Sequence, residues 1–286
     1  MSPVSIEPIQ HDSVAEVGEF LHANLNSRFS AEFWSGSLLH RWAQQQPNHG
    51  MQLRHEGRLV GVFCALYSDQ ALNGRVERIC NPHSWCVLPD YRRHSIGLLL
   101  PLLKQTGMHF VMLTPNPNVA KVFLGLKFRL LDDDELVIPN IGARPGFGRH
   151  AFAESQRGAV EARLSGQARR DFEAHSGFPW LHFSAFGEGD DTCFVVFKRM
   201  HWKRLPCAKI IHISDAQAFE RHSHLLRNHL LFRHGIAWSK VEARWLSRRP
   251  RFAVHLKRNQ PKLVLSPTLS DAQVGDLYSE LVALDI

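Results

Sequence analysis

"CVLPDYRRHSIGLLL", residues 86–100, runs from an apolar strand-like segment ending at Val87-Leu88 through a proline to a cluster of Tyr91, Arg92, Arg93 and His94. Ser95 and Gly97 follow, and then an apolar run with helical character. The first N–H groups of a helix have no intrahelical partner and carry the positive end of the helix dipole. A tight turn entering a helix therefore aims several amides at one anion. Gly97 has no Cβ to hold a ligand off the backbone, and Arg92, Arg93 and His94 add charge at the rim. A strand that stops short also leaves peptide groups able to pair with an extended ligand. Two readings stand side by side on these residues: an ordinary strand-to-helix turn with solvated arginines, and a phosphate site.

The bulk numbers bound the rest. A chain of 286 residues holds one large domain or two of ordinary size. With 44% apolar and 21% charged residues it is globular rather than disordered. The formal charge of +7 favours anionic partners, or marks a mildly basic surface with none. Five cysteines, an odd number without a CxxC pair, suggest buried thiols rather than a disulfide framework or a zinc site. No metal is expected. "MSPVSIEPIQ" at the start has neither a basic beginning nor a long apolar segment, so it does not read as a signal peptide. "LVGVFCALY" is too short to span a bilayer. The expectation is a cytoplasmic protein with no membrane partner.

Along the chain, "SIEPI" reads as a strand. "HDSVAEVGEFLHANL" reads as a helix with Val14, Val17, Phe20 and Leu21 on one face and His11 or Asp12 as its cap. "SAEFWSGSLLHRWAQQQ" is a second helix, capped by Ser30 and weak at Gly36. "GMQLRHEGRLVGVFCALYS" is a hairpin turning at His55-Glu56-Gly57. "RVERICNPHSWCVL" is a strand with Pro82 as a break, "HFVMLTPN" a short strand, "PNVAKVFLGLKF" a helix and "KFRLLDDDELVI" one further strand. The acidic run Asp132–Glu135 reads as a solvated edge or turn. The predicted order is β-α-α-β-β-β-α-β-α-β. The Gly- and Pro-rich stretch 139–150 marks a domain boundary or a long connection; as a boundary it divides the chain into 1–144 and 145–286.

A turn of this kind suits a long ligand with a pyrophosphate at one end and an amide-bearing arm, the shape of coenzyme A. "VLPDYRRHSIGLLL" resembles the acyl-CoA signature of the GNAT superfamily of N-acyltransferases, V-x-P-x-x-R/Q-x-x-G-x-G/A. Val87, Pro89, Arg92 and Gly97 match, and Ser95 stands where the first glycine is usual. "NPNVAKVFLGLKFR" resembles the family's later helix, N-x-x-A-x-x-x-Y-x-x-x-G-F. Asn116 and Phe128 match, Phe123 takes the tyrosine place and Lys127 the glycine place. The resemblance covers roughly residues 5–138 and implies an α/β (α+β) fold, a mixed central sheet flanked by helices.

It also implies that an amine attacks the thioester of acetyl-CoA or another acyl-CoA directly. The Val87 N–H would polarise the thioester carbonyl. Backbone at Cys86, Val87 and Leu88 would pair with the pantetheine arm. Arg92, Arg93, His94, Ser95, Ile96, Gly97 and Leu98 would cradle the pyrophosphate, and Asn116 and Phe123 would contact the cofactor. A base must keep the amine neutral, and Glu77 and His83 lie in the preceding strand where such bases occur. Three departures bear on this. Ser95 adds a side chain in the loop, Pro101 removes an N–H early in the helix, and Phe123 cannot donate the proton that the family's tyrosine gives to the leaving thiolate.

Beyond 150 the sequence offers two polar helices, the strands "CFVVFKR" and "AKIIHIS", and a helix from Asp215 to Gly235. Strands at "IAWSKVEARWL" and "RFAVHLKRNQPKLVLSP" complete it, the latter a hairpin turning at Asn259-Gln260-Pro261. This order reads as a degenerate second GNAT-like domain in tandem with the first, or as an unrelated α/β lid. "AKIIHIS" and the Asp215 helix hold the place of the signature without its R-x-x-G-x-G spacing. The arginines and lysines between Arg244 and Lys262 fit a nucleic-acid patch, a basic outer face of a strand pair, or a surface that steers an anionic acceptor; the bland basic face is preferred. The functional expectation is transfer of an acetyl or short acyl group to a small-molecule amine acceptor, an anionic one among the options. The alternative is an inactive relative that binds CoA or a partner as sensor or scaffold. Oligomeric state is not legible.

Overall fold

In the computed structural model, residues 4–72, 74–141, 150–258 and 260–286 are described. The chain forms two compact units, one of Met1–Leu131, Gln260–Ser270 and Tyr278–Ile286, the other of Asp132–Asn259 and Asp271–Leu277. Each holds one seven-stranded mixed sheet flanked by helices.

The first unit begins with β1 (Val4–Pro8), a 3-10 turn (His11–Ser13), α1 (Val14–Asn24) and α2 (Ala31–Leu38). The hairpin β2 (Gly50–His55) and β3 (Arg58–Leu72) follows, then β4 (Arg75–Val87), a 3-10 turn (Pro89–His94) and α3 (Ser95–Leu103). Next come β5 (His109–Met112), α4 (Pro117–Gly125) and β6 (Arg129–Leu130). This is the order expected from the sequence. The apolar stripe of α1 is buried as predicted, at Val14, Val17, Phe20 and Leu21. Entry into α1 differs: the Gln10 N–H donates to the Ser13 hydroxyl at 3.2 Å, so Ser13 rather than His11 or Asp12 closes the turn. Ser30 caps α2 by accepting from the Phe33 N–H. That helix ends at Leu38, well short of the predicted stretch.

A Cβ on Gly18 would lie 2.1 Å from Ser35 Oγ and 2.4 Å from the Ala31 carbonyl, so the missing side chain is what lets α1 and α2 approach. One apolar cluster lies on the α3 and α4 side of the sheet (Phe63, Leu98, Leu99, Leu102, Phe123, Leu263), and another on the α1 and α2 side (Val17, Leu21, Trp34, Val62, Cys64). Fully burying each large apolar side chain contributes about 1.5–3 kcal/mol.

The second unit starts with β7 (Glu135–Pro139), β8 (Ala151–Glu154), α5 (Arg157–Ala162) and α6 (Gly166–His175). It continues with β9 (His182–Glu188), β10 (Asp191–Trp202), β11 (Leu205–Ile213), α7 (Ala216–His234), β12 (Trp238–Glu242) and β13 (Val254–Leu256). β14 (Leu263–Leu265) and α8 (Glu280–Ala283) belong to the first unit. The sheets run β1-β2-β3-β4-β5-β14-β6 and β13-β7-β12-β11-β10-β9-β8. In both, four antiparallel strands lead by a helix into a parallel fifth: α3 joins β4 to β5, and α7 joins β11 to β12. As expected, α7 is capped by Asp215, which accepts from the Ala218 N–H, and is closed by Gly235 in the left-handed region.

Several expectations give way. "KFRLLDDDELVI" is not one strand; β6 joins the first sheet and β7 the second. The units divide between Leu131 and Asp132 rather than at 144. The stretch 139–150 is the long connection of the two readings, between two strands of the second sheet, and its residues 142–149 lie outside the described residues. Of the four acids only Asp132 is exposed, in the turn between β6 and β7. Glu135 is buried against Lys240 at 2.5 Å, and Asp133 is buried 3.8 Å from Arg258. The proposed C-terminal hairpin is absent: β13 pairs with β7, while β14 pairs with β5 and β6. Its expected turn residue Asn259 lies outside the described residues. Part of the basic segment is neutralised within the second unit, with Arg244 buried against Glu242 and Arg248 on Glu220. Lys262, in the first unit, is fully buried. Arg249, Arg251 and Lys257 are exposed, which leaves a basic outer face of the kind expected.

The two helical glycines of the α1–α2 pair predict opposite outcomes. Gly18→Ala forces a Cβ into the Ala31 backbone and lowers stability by about 1–3 kcal/mol. Gly36→Ala meets nothing within 4 Å and raises it by about 0.5–1 kcal/mol. Urea denaturation of the two variants checks both signs.

Candidate active site

The signature turn sits where β4 and β5 part. β4 pairs with β3 along its whole length, Arg75 to Val87, but with β5 only at Ile79 and Cys80. From Asn81 onward the β5-side edge of β4 has no ladder partner among the described strands. In an antiparallel pair, alternate residues turn their peptide groups to opposite sides. The Leu88 N–H bonds the Val60 carbonyl at 2.9 Å, and the Ala65 N–H bonds His49 on the far side of β3. The register then turns the peptide groups of Val87, Trp85 and Pro82 away from β3, toward the open edge. Pro82 has no N–H to offer and so fits this edge without a lost ladder bond, which is why the strand runs through it. The irregularity lies at Ser84 instead, a bulge residue with φ 51°.

Of the three residues assigned to the pantetheine arm, Val87 alone turns its N–H to the edge. Cys86 faces β3 and Leu88 is bonded to Val60. Cys86 is also buried on the α1 side, where burial pushes its thiol up. The Trp85 N–H shares the edge with Val87 and lies nearer the point of parting. The sequence reading missed it.

The basic turn is held in place by Tyr91, whose hydroxyl meets His55 Nδ1 at 2.9 Å. Arg92, Arg93 and Ile96 are exposed, and Arg93 Nε donates to His94 Nε2 at 3.0 Å. Ser95 is closed on itself. Its N–H and its hydroxyl, the latter at 2.6 Å, both donate to the Arg92 carbonyl. A Cβ on Gly97 would meet the tip of the exposed Ile6 side chain, Cδ1, at 2.4 Å, so the glycine lies against β1. Leu98 is wholly buried in the core. The positive face of the turn therefore comes from Arg92, Arg93 and the helix end.

Asn116 is the cap of α4, its Oδ1 accepting from the Asn118 and Val119 amides. Phe123 is fully buried among Phe63, Trp85 and Phe128, with ring centroids 4.8–6.2 Å apart. Of the two candidate bases, Glu77 is bonded to His109 Nε2 at 3.0 Å. His83 is buried, with Nδ1 2.9 Å from Ser84 Oγ and no hydrogen-bond partner on Nε2 among the described residues. Burial lowers its pKa to about 3. Such an imidazole is neutral at pH 7 but a weak proton acceptor.

A different carboxyl occupies the parting of the strands. Asn81 Nδ2 donates across it to the Val111 carbonyl at 2.7 Å, and Asn81 Oδ1 accepts from the Glu280 N–H at 2.9 Å. Thr114, just past β5, donates to Glu280 Oε1 at 3.0 Å. Glu280 Oε2 is buried with no hydrogen-bond partner among the described residues. Burial raises the Glu280 pKa to about 7, against the opposing pull of the Thr114 and Asn81 bonds and the charge of Lys262. Asn81 and Glu280 are 199 residues apart in sequence. The one sequence signal was a polar residue, Asn81, inside an apolar strand.

The parted parallel strands, the basic turn between them and the order of elements define the class: this is the GNAT fold. Solved structures of the same fold bear that out. A GCN5-related N-acetyltransferase from Anabaena variabilis ATCC 29413 is similar with TM-score 0.61 and 11% identity, over 92% of this chain and 72% of that one. Another from Kribbella flavida is similar with TM-score 0.59 and 14% identity, over 92% and 71%. Eis1 from Mycobacterium abscessus is similar with TM-score 0.52 and 11% identity, over 92% and 73%. No protein-family model matches the sequence, and neither does any curated protein.

The buried His83 makes a pH prediction. In the unfolded chain its pKa is about 6.5, so as pH falls below that value the unfolded state takes a proton that the folded imidazole refuses. Stability then falls with pH. His83→Leu makes that slope shallower by up to about 1.4 kcal/mol per pH unit between about pH 6 and pH 4, read from urea denaturation at a series of pH values.

Proposed function

We propose that this protein is an acyl-CoA-dependent N-acyltransferase that moves an acetyl or short acyl group to the amine of a small molecule. The observation that carries the reading is the free edge of β4. The Trp85 and Val87 N–H groups face it beside an arginine-bearing helix start. In this reading the pantetheine arm lies along that edge as a substitute strand, and the diphosphate meets Arg92 and Arg93. An edge N–H, that of Val87 or of Trp85, polarises the thioester carbonyl. Attack forms a C–N bond to the acyl carbon, and collapse of the tetrahedral species breaks the C–S bond and releases the CoA thiolate.

Glu280 is the base in this reading. With a pKa near 7 it is half ionised at neutral pH, and Oε2 is left to take the ammonium proton. A hollow of ≈ 280 Å³ beside Leu88 carries Glu16, Glu19 and Arg58 on its wall, and with Glu16 paired to Arg54 its charge does not select between a cationic and an anionic acceptor. No acid replaces the tyrosine at Phe123, so the thiolate leaves to water.

The second unit supports a degenerate GNAT-like repeat. Its sheet has the same connections, but at the place of the signature Asp215 caps α7, setting a carboxylate where a phosphate would have to sit. All five cysteines are buried free thiols, which fits a reducing, cytoplasmic setting, and no helix among the described residues is long and apolar enough to cross a membrane. A second reading, CoA binding without transfer, draws support from Phe123.

Thermal shift with acetyl-CoA and thiol release with a panel of amines separate these readings. Arg92→Glu with Arg93→Glu weakens acetyl-CoA binding about tenfold or more; an unchanged shift overturns the placement of the diphosphate. In an active enzyme kcat/KM rises with pH through about 7. Glu280→Gln lowers kcat about 10²–10³-fold and removes that rise while acetyl-CoA still binds. A thermal shift without thiol release for any amine establishes the sensor reading instead.

A further inference from the structure

The second unit holds a cavity of ≈ 80 Å³ that acyl transfer leaves without a task. Its polar wall is Ser155, Arg157, His182, Arg199 and His234, and Phe183 and Phe197 give it an apolar side. His229 stands behind the wall, its Nε2 2.9 Å from Ser155 Oγ. Arg157 begins α5, His182 lies on β9 and Arg199 on β10, while His229, Arg233 and His234 come from the last turns of α7. Among the described residues no carboxylate lines it.

The hydrogen bonds here have a fixed direction, because a guanidinium only donates. Arg199 lies 3.2 Å from His234 Nδ1, so that nitrogen holds the lone pair and Nε2 the proton. His234 Nε2–H then donates to Ser155 Oγ at 2.8 Å, and the Ser155 O–H donates to His229 Nε2. Both imidazoles are therefore neutral. The titration directions agree: His182, His229 and His234 are all held below the ordinary value, by burial first and by neighbouring cations next, with His229 at about 4. Arg199 and Arg157 press on His182, Arg199 and Arg233 on His234, and Arg233 on His229. No acid among the described residues offsets them.

Clustered like charges around a small void repel one another unless an anion joins them. We infer that this cavity binds a tetrahedral oxyanion, a phosphate or sulfate group, held by Arg157 and Arg199 with the imidazole of His182, and by the Ser155 hydroxyl, whose proton turns to the anion when His229 Nε2 takes one up. Arginine forks match oxyanion geometry. The volume admits the head group alone, and the exposed Arg157 and Arg199 leave a way out for whatever carries it. An arriving dianion reverses the field at the histidines, so they take up protons on binding and affinity grows as pH falls.

Sulfate is the probe, because its charge is constant over the range where histidines titrate. Calorimetric titration of the full chain at constant ionic strength, held with chloride, is expected to show one sulfate site. It is expected to be at least about threefold tighter near pH 5.5 than near pH 7.5, with proton uptake. Inorganic phosphate displaces the sulfate; acetate does not. Arg199→Met and Ser155→Ala each weaken sulfate about tenfold or more, and near-UV circular dichroism shows that both remain folded. The Arg92→Glu, Arg93→Glu variant keeps full sulfate affinity, so failure of the acyl-CoA reading leaves this one standing. Absence of sulfate binding, equal binding in folded Arg199→Met, weaker binding at low pH, or equal competition by acetate overturns the inference.

Discussion

A peptide group can face only one neighbouring strand, and the first unit is organised around that limit. β4 directs half of its peptide groups to β3 and the other half to β5, and β5 accepts the offer at only two residues. The rest of the edge would be costly if it were buried without a partner. It is tolerable because Pro82 has no donor to satisfy, because Asn81 reaches across to Val111, and because a ligand can complete the ladder. The turn, the helix dipole and the arginines are placed by the same event, since α3 begins where β4 stops.

Sequence reading recovered what is written locally. The element order of the first unit, the α1 stripe, the Ser30, Asp215 and Gly235 caps and the signature turn all rest on spacings of a few residues. It failed where the determinants are distant. The motif place of Asn116 gave no sign of the Asn118 and Val119 amides it caps. Nor did Gly97 show that the tip of Ile6, on another strand, lies close to it. Lys262 and Arg244 looked like surface charge because burial is not visible in composition. Glu280 carried no local signal, being in a polar-apolar tail far from Asn81.

The two units answer the same topology with opposite electrostatics. At the β4–α3 junction the helix start is faced by arginines; at the β11–α7 junction it is faced by Asp215. A capping carboxylate stabilises a helix by roughly 0.5–2 kcal/mol, so Asp215 serves its own helix at the junction where the first unit presents cations. The cations of the second unit gather elsewhere, around Ser155. Fold repetition and site repetition are thus separate matters in this chain.

The position of β14 bears on how the protein is made. It lies between β5 and β6, although residues 131 to 262 separate it from the latter in the chain. Until the ribosome has released that late segment, β5 and β6 cannot be joined, and each presents a raw sheet margin of the kind that invites mispairing with other chains. The first sheet to begin is therefore not the first to finish, and the second sheet has all its strands in hand at Leu256 while the first still waits for β14.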